Sequence, residues 1–277
     1  MKQTFTKSLT ILAFAFITTA ALAQGSPDFT KSRVMGQFVP STDTLFVPYR
    51  PPYDTTAIMF VHRETYNAFI RMSEAATQDG INLFIVSATR NFQRQAAIWE
   101  RKWQTFPGEP KEKAINILNY SSMPGTSRHH WGTDIDLCSV EDSDWTKPEM
   151  QVTLRWLNEN AVKYGFFMPY SDDPERTGYK YEPWHWSYYP LSDYYTELYR
   201  ILISPEDITG FSGSSLAAEL DVIKNYVLGI AKHGKPFSIA TVPYDKDAHL
   251  VQRIQRQSDQ HQRHRIARRR NHRRKNK

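Results

Sequence analysis

Ser127-Arg128-His129-His130-Trp131-Gly132-Thr133-Asp134-Ile135-Asp136 is the stretch on which the reading of this sequence turns. Two histidines are followed within a few residues by two aspartates. Gly132 between them allows the tight turn that such crowding needs. Residues 135–140 then read as a strand, which puts Asp134 and Asp136 on one face if the strand begins there. A second block, Glu182-Pro183-Trp184-His185-Trp186, opens another strand candidate over residues 184–189.

Together the two blocks supply a donor set. Zinc takes nitrogen, oxygen and sulfur ligands tetrahedrally, and a catalytic site keeps one position open. Two histidines and one carboxylate make such a site, with one Zn²⁺ per chain held by His129, Asp136 and His185. Glu182 lies three residues before His185 and can sit beside the metal without ligating it. There it can take a proton from an attacking water and return it to a leaving amine. His130 is the rival of His129. On a strand the two would face opposite sides, so both cannot serve one metal. Asp134 either orients a ligand histidine as a supporting carboxylate or competes as a ligand.

Working outward, residues 24–58, rich in Pro, Ser, Thr and Asp, read as a lead-in loop. Residues 63–79 carry Tyr66, Phe69, Ile70, Ser73 and Ala76 at helical spacing, and Gly80 suits the stop. Residues 83–86 read as a buried strand. Asn91 opens a helix containing Ala96, Trp99 and Trp103, and residues 104–126 read as a loop. Thr146-x-x-Glu149 has the form of a capping box before a helix that Gly165 ends. Residues 166–168 are a further strand candidate. Helices and short strands without a regular βαβ repeat predict an α+β domain over residues 59–205: a small antiparallel sheet bearing the zinc site, flanked by helices. Residues 206–250 read as a helical C-terminal extension. Its amphipathic helix is expected over 215–231, with Leu216, Leu220, Ile223, Val227 and Ile230 along one side.

The ends carry different signals. Lys2 and Lys7, an apolar run over residues 9–17 and Ala21-Leu22-Ala23 form a secretory signal over residues 1–23, with cleavage before Gln24. That predicts an exported protein of the periplasm or the extracellular envelope, with no integral membrane segment after cleavage. Cys138 is the one cysteine, so no intramolecular disulfide forms, and it reads as a small buried hydrophobe. The formal charge of +6 is less than the basic contribution of the tail over residues 251–277, so the body is acidic. The tail reads as disordered, with weak attraction to anionic envelope surfaces. Nucleic acid is not an expected partner of an exported chain with this distribution.

Ser127, His129, Gly132 and Asp136, then Glu182, Trp184 and His185, match the pattern S-x-H-x-x-G-x-A-x-D followed by E-x-W-H. The sequence here resembles the zinc D-alanyl-D-alanine carboxypeptidase and dipeptidase family, the VanY-like group. A third match is Ser87-Ala88-Thr89-Arg90-Asn91-Phe92-Gln93-Arg94-Gln95. The resemblance covers roughly residues 60–190 and departs at Asp134, where the family has a small residue, usually Ala. It implies that Arg90 binds the substrate carboxylate or the developing oxyanion and that Gln95 and Ser127 line the substrate pocket. Guanidinium suits the first task, because it recognises carboxylate through a fixed fork. The implied partners are peptidoglycan stem peptides, and the implied reaction removes terminal D-Ala. An L,D-carboxypeptidase or a wall endopeptidase on the same scaffold is the first alternative. A non-catalytic, zinc-stabilised wall-binding protein is the second, against which Glu182 counts, since binding alone needs no base.

Overall fold

The computed structural model describes residues 30–234. The expected signal segment, the start of the lead-in, the end of the extension and the basic tail lie outside the described residues.

Helix α1 (Lys31–Val34) and strand β1 (Phe46–Tyr49) occupy a region expected to be loop. The lead-in is therefore structured from residue 30 onward. Its strand is stabilised by a distant partner: β1 pairs antiparallel with β2 (Met59–His62), Phe46 opposite His62 and Tyr49 opposite Met59. Such pairing leaves little local trace when proline and polar residues dominate the segment.

Helix α2 (Arg63–Gln78) follows β2 directly. Its buried face is Thr65, Ala68, Phe69, Met72 and Ala76. Phe69 and Ala76 were expected there. Tyr66 and Ile70 pack at the edge of the core, while Ser73 donates to the Leu83 carbonyl at 3.2 Å. At the helix end Gly80 has a φ of 77°, and the Ile81 amide returns to the Ala76 carbonyl. That closing bond satisfies a carbonyl the helix leaves free.

Strand β3 (Ile85–Ser87) leads into α3 (Phe92–Thr105), capped by Asn91, whose side chain accepts from the Arg94 amide. Helix α4 (Pro110–Ile117) lies inside the expected 104–126 loop. Pro110 sits in its first turn, where proline costs no hydrogen bond. Glu109 and Glu112 form a capping box there. Strand β4 (Asp134–Leu137) ends earlier than the sequence suggested, because Cys138 turns into the left-handed region with φ 63°. Cys138 is half-buried against the main core and forms no disulfide.

Helices α5 (Asp142–Trp145) and α6 (Pro148–Asn160) come next. The expected Thr146 capping box is not made. Lys147 is the capping position, and the Thr146 hydroxyl donates instead to the Ser143 carbonyl of the preceding turn. A 3-10 turn, Ala161–Tyr164, extends α6 to Gly165. Strands β5 (Phe166–Phe167) and β6 (His185–Tyr188) and helix α7 (Tyr189–Leu202) complete the regular elements.

The fold is α+β. Strands β3, β4, β6 and β5 form, in that order, a four-stranded sheet whose pairings are all antiparallel. Ile85, Ile135, Leu137, Phe166 and Trp186 pack with Phe69 and Met72 of α2 and Leu157 of α6 in the main core. Each such large apolar side chain contributes about 1.5–3 kcal/mol when fully buried. A second cluster joins Val34, Trp131, Tyr195 and Tyr199, and so fixes α1 and α7 beneath the turn that follows Ser127.

Residues 205–234 do not form the expected amphipathic helix. Short 3-10 turns at Pro205–Asp207 and Ser214–Leu216 are followed by a π turn at Ile223–Val227. Asp221 adopts φ 48°, which breaks a regular helical ladder. The segment still packs: Ile208, Ala217 and Val222 are buried with Trp99 of α3 and with Tyr170 and Tyr179. Tertiary packing outweighed helical periodicity. Among the described residues no helix is long and apolar enough to cross a membrane.

Candidate active site

Three elements converge at one point. The turn Arg128–Trp131 is 3-10 helical, so His129 and His130 are separated by rotation about a tight helix and not by strand alternation. Gly132 caps it with φ 70°. A Cβ at Gly132 would stand 2.4 Å from Cε1 of Phe46 and 3.0 Å from the His62 amide nitrogen, so the crossing with β1 and β2 admits only glycine. Strand β4 then carries Asp136, and β6 carries His185 directly opposite it in the ladder. Directly opposed residues bring their side chains together on one sheet face.

Asp136 Oδ1 lies 3.3 Å from His129 Nε2 and 3.2 Å from His185 Nδ1. The two ring nitrogens are 3.2 Å apart. Ligands at the 2.0–2.1 Å typical of nitrogen and oxygen on a tetrahedral ion are separated by about 3.3–3.4 Å. The near-equilateral triangle therefore fits a metal ion. Asp136 Oδ1 is buried without a hydrogen bond of acceptable geometry, an expensive condition that a cation would relieve.

The rings are held in the matching tautomers. His129 Nδ1 donates to the Ala88 carbonyl at 3.0 Å, which leaves the Nε2 lone pair for the site. His185 Nε2 donates to Asp134 Oδ1 at 3.0 Å, which leaves Nδ1 for the site. Burial pushes His129 down to about 4, so it stays neutral. Burial acts the same way on His185, but the carboxylates of Asp134 and Asp136 overcome it and raise the ring to about 9. Burial would lift Asp136, yet the two imidazoles hold it well below the usual carboxylate range. The point between these groups favours positive charge.

Glu182 sits beside this triangle, its Oε2 3.5 Å from His185 Nδ1. Burial pushes its carboxyl up to about 8, with Asp136 adding to the rise while His185 and Arg90 oppose it. A carboxylate with a raised proton affinity is what acid–base exchange near neutral pH requires.

Arg90 follows β3 and reaches the same place. Its Nη1 lies 3.6 Å from Asp136 Oδ2 and donates to Ser87 Oγ at 2.7 Å. Its Nε donates to Gln95 Oε1 at 3.1 Å. Gln95, in turn, donates from Nε2 to the Ser122 carbonyl at 2.8 Å, so both ends of the amide are engaged in fixing Arg90. Ser127 Oγ is buried without a hydrogen-bond partner and lines a small recess that also touches His129, Glu182 and His185. Arg90, Gln95, His129, Asp136 and Glu182 all border one open cavity of about 770 Å³, with Tyr120, Lys102 and Trp184 on its walls. Every site residue named from the sequence thus lies in one neighbourhood.

His130 is excluded from the centre. Its Nδ1 faces the Arg90 carbonyl at 2.5 Å, and its Nε2 accepts from the Gly125 amide at 3.0 Å. Trp186 is core, its indole donating to the Pro183 carbonyl, and Tyr188 packs on Phe166. Arg128 and Lys102 were not singled out from the sequence. Neither sits at a telling spacing, and only the fold brings them to the site.

An α+β domain that presents two imidazoles and a carboxylate from adjoining segments, with a buried glutamate alongside, has the donor set of a candidate metal centre. Residues 59–191 match the family described as VanY, D-alanyl-D-alanine carboxypeptidase. The chain is 32% identical to YodJ of Bacillus subtilis (strain 168) over 132 residues, covering 47% of this chain and 46% of that protein. It is 30% identical to a D-alanyl-D-alanine carboxypeptidase of Enterococcus faecium over 135 residues, 48% of this chain and 39% of that protein. The matched region thus spans less than half the length of either relative. A solved structure of VanYB in complex with D-alanine-D-alanine aligns with a TM-score of 0.44 at 21% identity, over 59% of this chain and 88% of that one.

Proposed function

We propose that this protein is an exported zinc carboxypeptidase that removes the terminal D-Ala from peptidoglycan stem peptides. The observation that carries the proposal is the convergence of His129, Asp136 and His185 beside Glu182 and Arg90 in a single open cavity. The family match over residues 59–191 supports the reaction class. The N-terminal segment supports export.

His129 Nε2, Asp136 Oδ1 and His185 Nδ1 would hold the Zn²⁺, which when bound supplies Lewis acidity for a scissile carbonyl and for water. The remaining work falls to the chain. Glu182 takes the proton of the attacking water and passes it to the leaving amine. Arg90, braced by Ser87 and Gln95, is positioned to bind the terminal carboxylate of the peptide or the developing oxyanion. A carboxylate anchored that close to the ligands permits removal of C-terminal residues only. Ser127 Oγ, unpaired beside the site, is free to bond a peptide group.

Mass spectrometry of a purified muropeptide pentapeptide, incubated with zinc-loaded and with chelator-treated protein, tests the reading. Metal-dependent loss of a single alanine is expected. Cleavage only of a tetrapeptide would replace D,D by L,D specificity, and release only from cross-linked sacculi would make the protein an endopeptidase. Binding to sacculi with no peptide released from any of these would overturn the enzymatic reading.

A further inference from the structure

One buried polar cluster is not accounted for by the residues that border the cavity. The side chains of Arg128 and Asp134 are both wholly shielded from solvent and form an ion pair, Nε to Oδ1, at 2.9 Å. A buried ion pair is weak evidence for stability, since an apolar pair of similar volume usually serves as well. Its contacts suggest a different use. Asp134 Oδ1 also accepts from His185 Nε2, and Oδ2 accepts from Thr133 Oγ1 at 2.6 Å. Arg128 Nη1 donates to Thr196 Oγ1 at 2.8 Å and Nη2 to Ser187 Oγ at 2.9 Å. The guanidinium carbon stands 4.7 Å from the centre of the Trp131 ring.

One guanidinium therefore ties together four segments. It belongs to the turn that carries His129, and it bonds the strand that carries Asp136, the strand that carries His185, and α7. The three ligand-bearing segments are linked through this side chain. Asp134 itself is no ligand. It binds His185 at Nε2, whereas Nδ1 of the same ring faces Asp136. The two nitrogens of an imidazole point to opposite sides, so a group bonded at one does not reach an ion bound at the other. Arg128 also cancels the charge of Asp134, leaving the charge of Asp136 to meet a cation.

We propose that Asp134 and Arg128 are positioning residues for the metal centre: Asp134 fixes the His185 ring with Nδ1 toward the ligand point, and Arg128 fixes Asp134 and locks the three ligand-bearing segments in register. An aspartate at this buried position needs a cation, and Arg128 supplies it. The inference rests on the metal reading made above.

Competition between the purified full chain and a chromogenic chelator for Zn²⁺ tests it, with the absorption spectrum of the Co²⁺-substituted protein as a second readout. Asp134→Asn is expected to bind one equivalent of Zn²⁺ with affinity about 10–100-fold weaker than the parent, the usual penalty for losing a carboxylate behind a ligand histidine. Its Co²⁺ bands should shift while keeping tetrahedral intensity. Should Asp134→Asn fail to fold because Arg128 is left unpaired, the double variant Arg128→Met/Asp134→Ala removes both charges together. It too should bind one equivalent about 10–100-fold more weakly. Unchanged Zn²⁺ affinity in either folded variant would reduce the pair to a structural role and overturn the proposal. Loss of stoichiometric binding in Asp134→Asn, as expected for Asp136→Asn, would make Asp134 a ligand and overturn it as well. Failure of the parent protein to bind Zn²⁺ is a separate result and would remove the metal reading itself.

Discussion

The β4–β6 seam and the segment 205–234 are both packed against the body of the protein, but they bury opposite kinds of atoms. At the seam, Arg128, His129, His130, Asp134, Asp136, Glu182 and His185 are all nearly inaccessible. In the segment, what is buried is Ile208, Ala217, Val222 and Val227. Burying ionisable groups is costly unless each is paired. The seam meets that condition in part: Arg128, Asp134, His130 and the outer nitrogens of His129 and His185 are hydrogen-bonded, while Asp136 Oδ1 and Ser127 Oγ are buried without hydrogen bonds. The segment needs no such care, because apolar contact is non-directional. A region built for chemistry is therefore expected to be intolerant of single atoms, and a region built for coverage only of volume.

The largest effect tests the seam at its ligands. His185→Ala is expected to lose bound metal and with it all measurable turnover. Metal analysis after gel filtration checks this, and full occupancy would remove His185 from the centre.

Glu182→Gln changes one atom and should keep the metal while losing about 10²–10⁴-fold in kcat, the usual contribution of general acid–base groups. A normal rate would end the assignment of Glu182 as the base. The pH profile sharpens the same point. Burial raises Glu182 to about 8, and a cation beside it lowers that value. The base works deprotonated, so kcat/KM should fall as pH drops through an apparent pKa below 8, and Glu182→Gln should lack that limb.

Arg90→Ala should reduce kcat/KM by about 10–100-fold, corresponding to the loss of a charge-assisted hydrogen bond of about 1.5–3 kcal/mol. The loss should shrink for a substrate whose terminal carboxylate is amidated. An equal loss on both substrates would make the guanidinium a brace for Asp136 alone.

The smallest effect belongs to the covering segment. Ile208→Val should cost about 0.5–1.5 kcal/mol in chemical denaturation, as for other single-methylene deletions in cores. Zn²⁺ affinity should not change. A weakened affinity would mean that the segment and the seam are coupled, and the contrast between them would fail.

Much of the candidate site was legible in the residues themselves. His129, Asp136, Glu182 and His185 carry their chemistry in side-chain type and spacing, and Gly132 announces the turn that separates the first two. Asn91 and Gly80 were readable as helix signals because caps act over a few residues. The α+β class followed from the mixture of short strands and helices. Other features were hidden for a shared reason. Strand β1 exists through its pairing with β2, α4 starts at a proline that also fits a loop, and the Thr146 hydroxyl is claimed by the turn before it. Residues 205–234 have helical periodicity yet follow the surface offered by Trp99, Tyr170 and Tyr179. Most telling is Arg128, which in the sequence is only a neighbour of His129. Its meaning comes from Asp134, Ser187 and Thr196, the last of these 68 positions away. The sequence by itself determined which candidate donors and which candidate base are present. Only the tertiary structure decided which ring nitrogen faces the centre, which aspartate faces both imidazoles and which one backs His185 and Arg128, because those choices depend on hydrogen bonds between segments that local patterning does not encode.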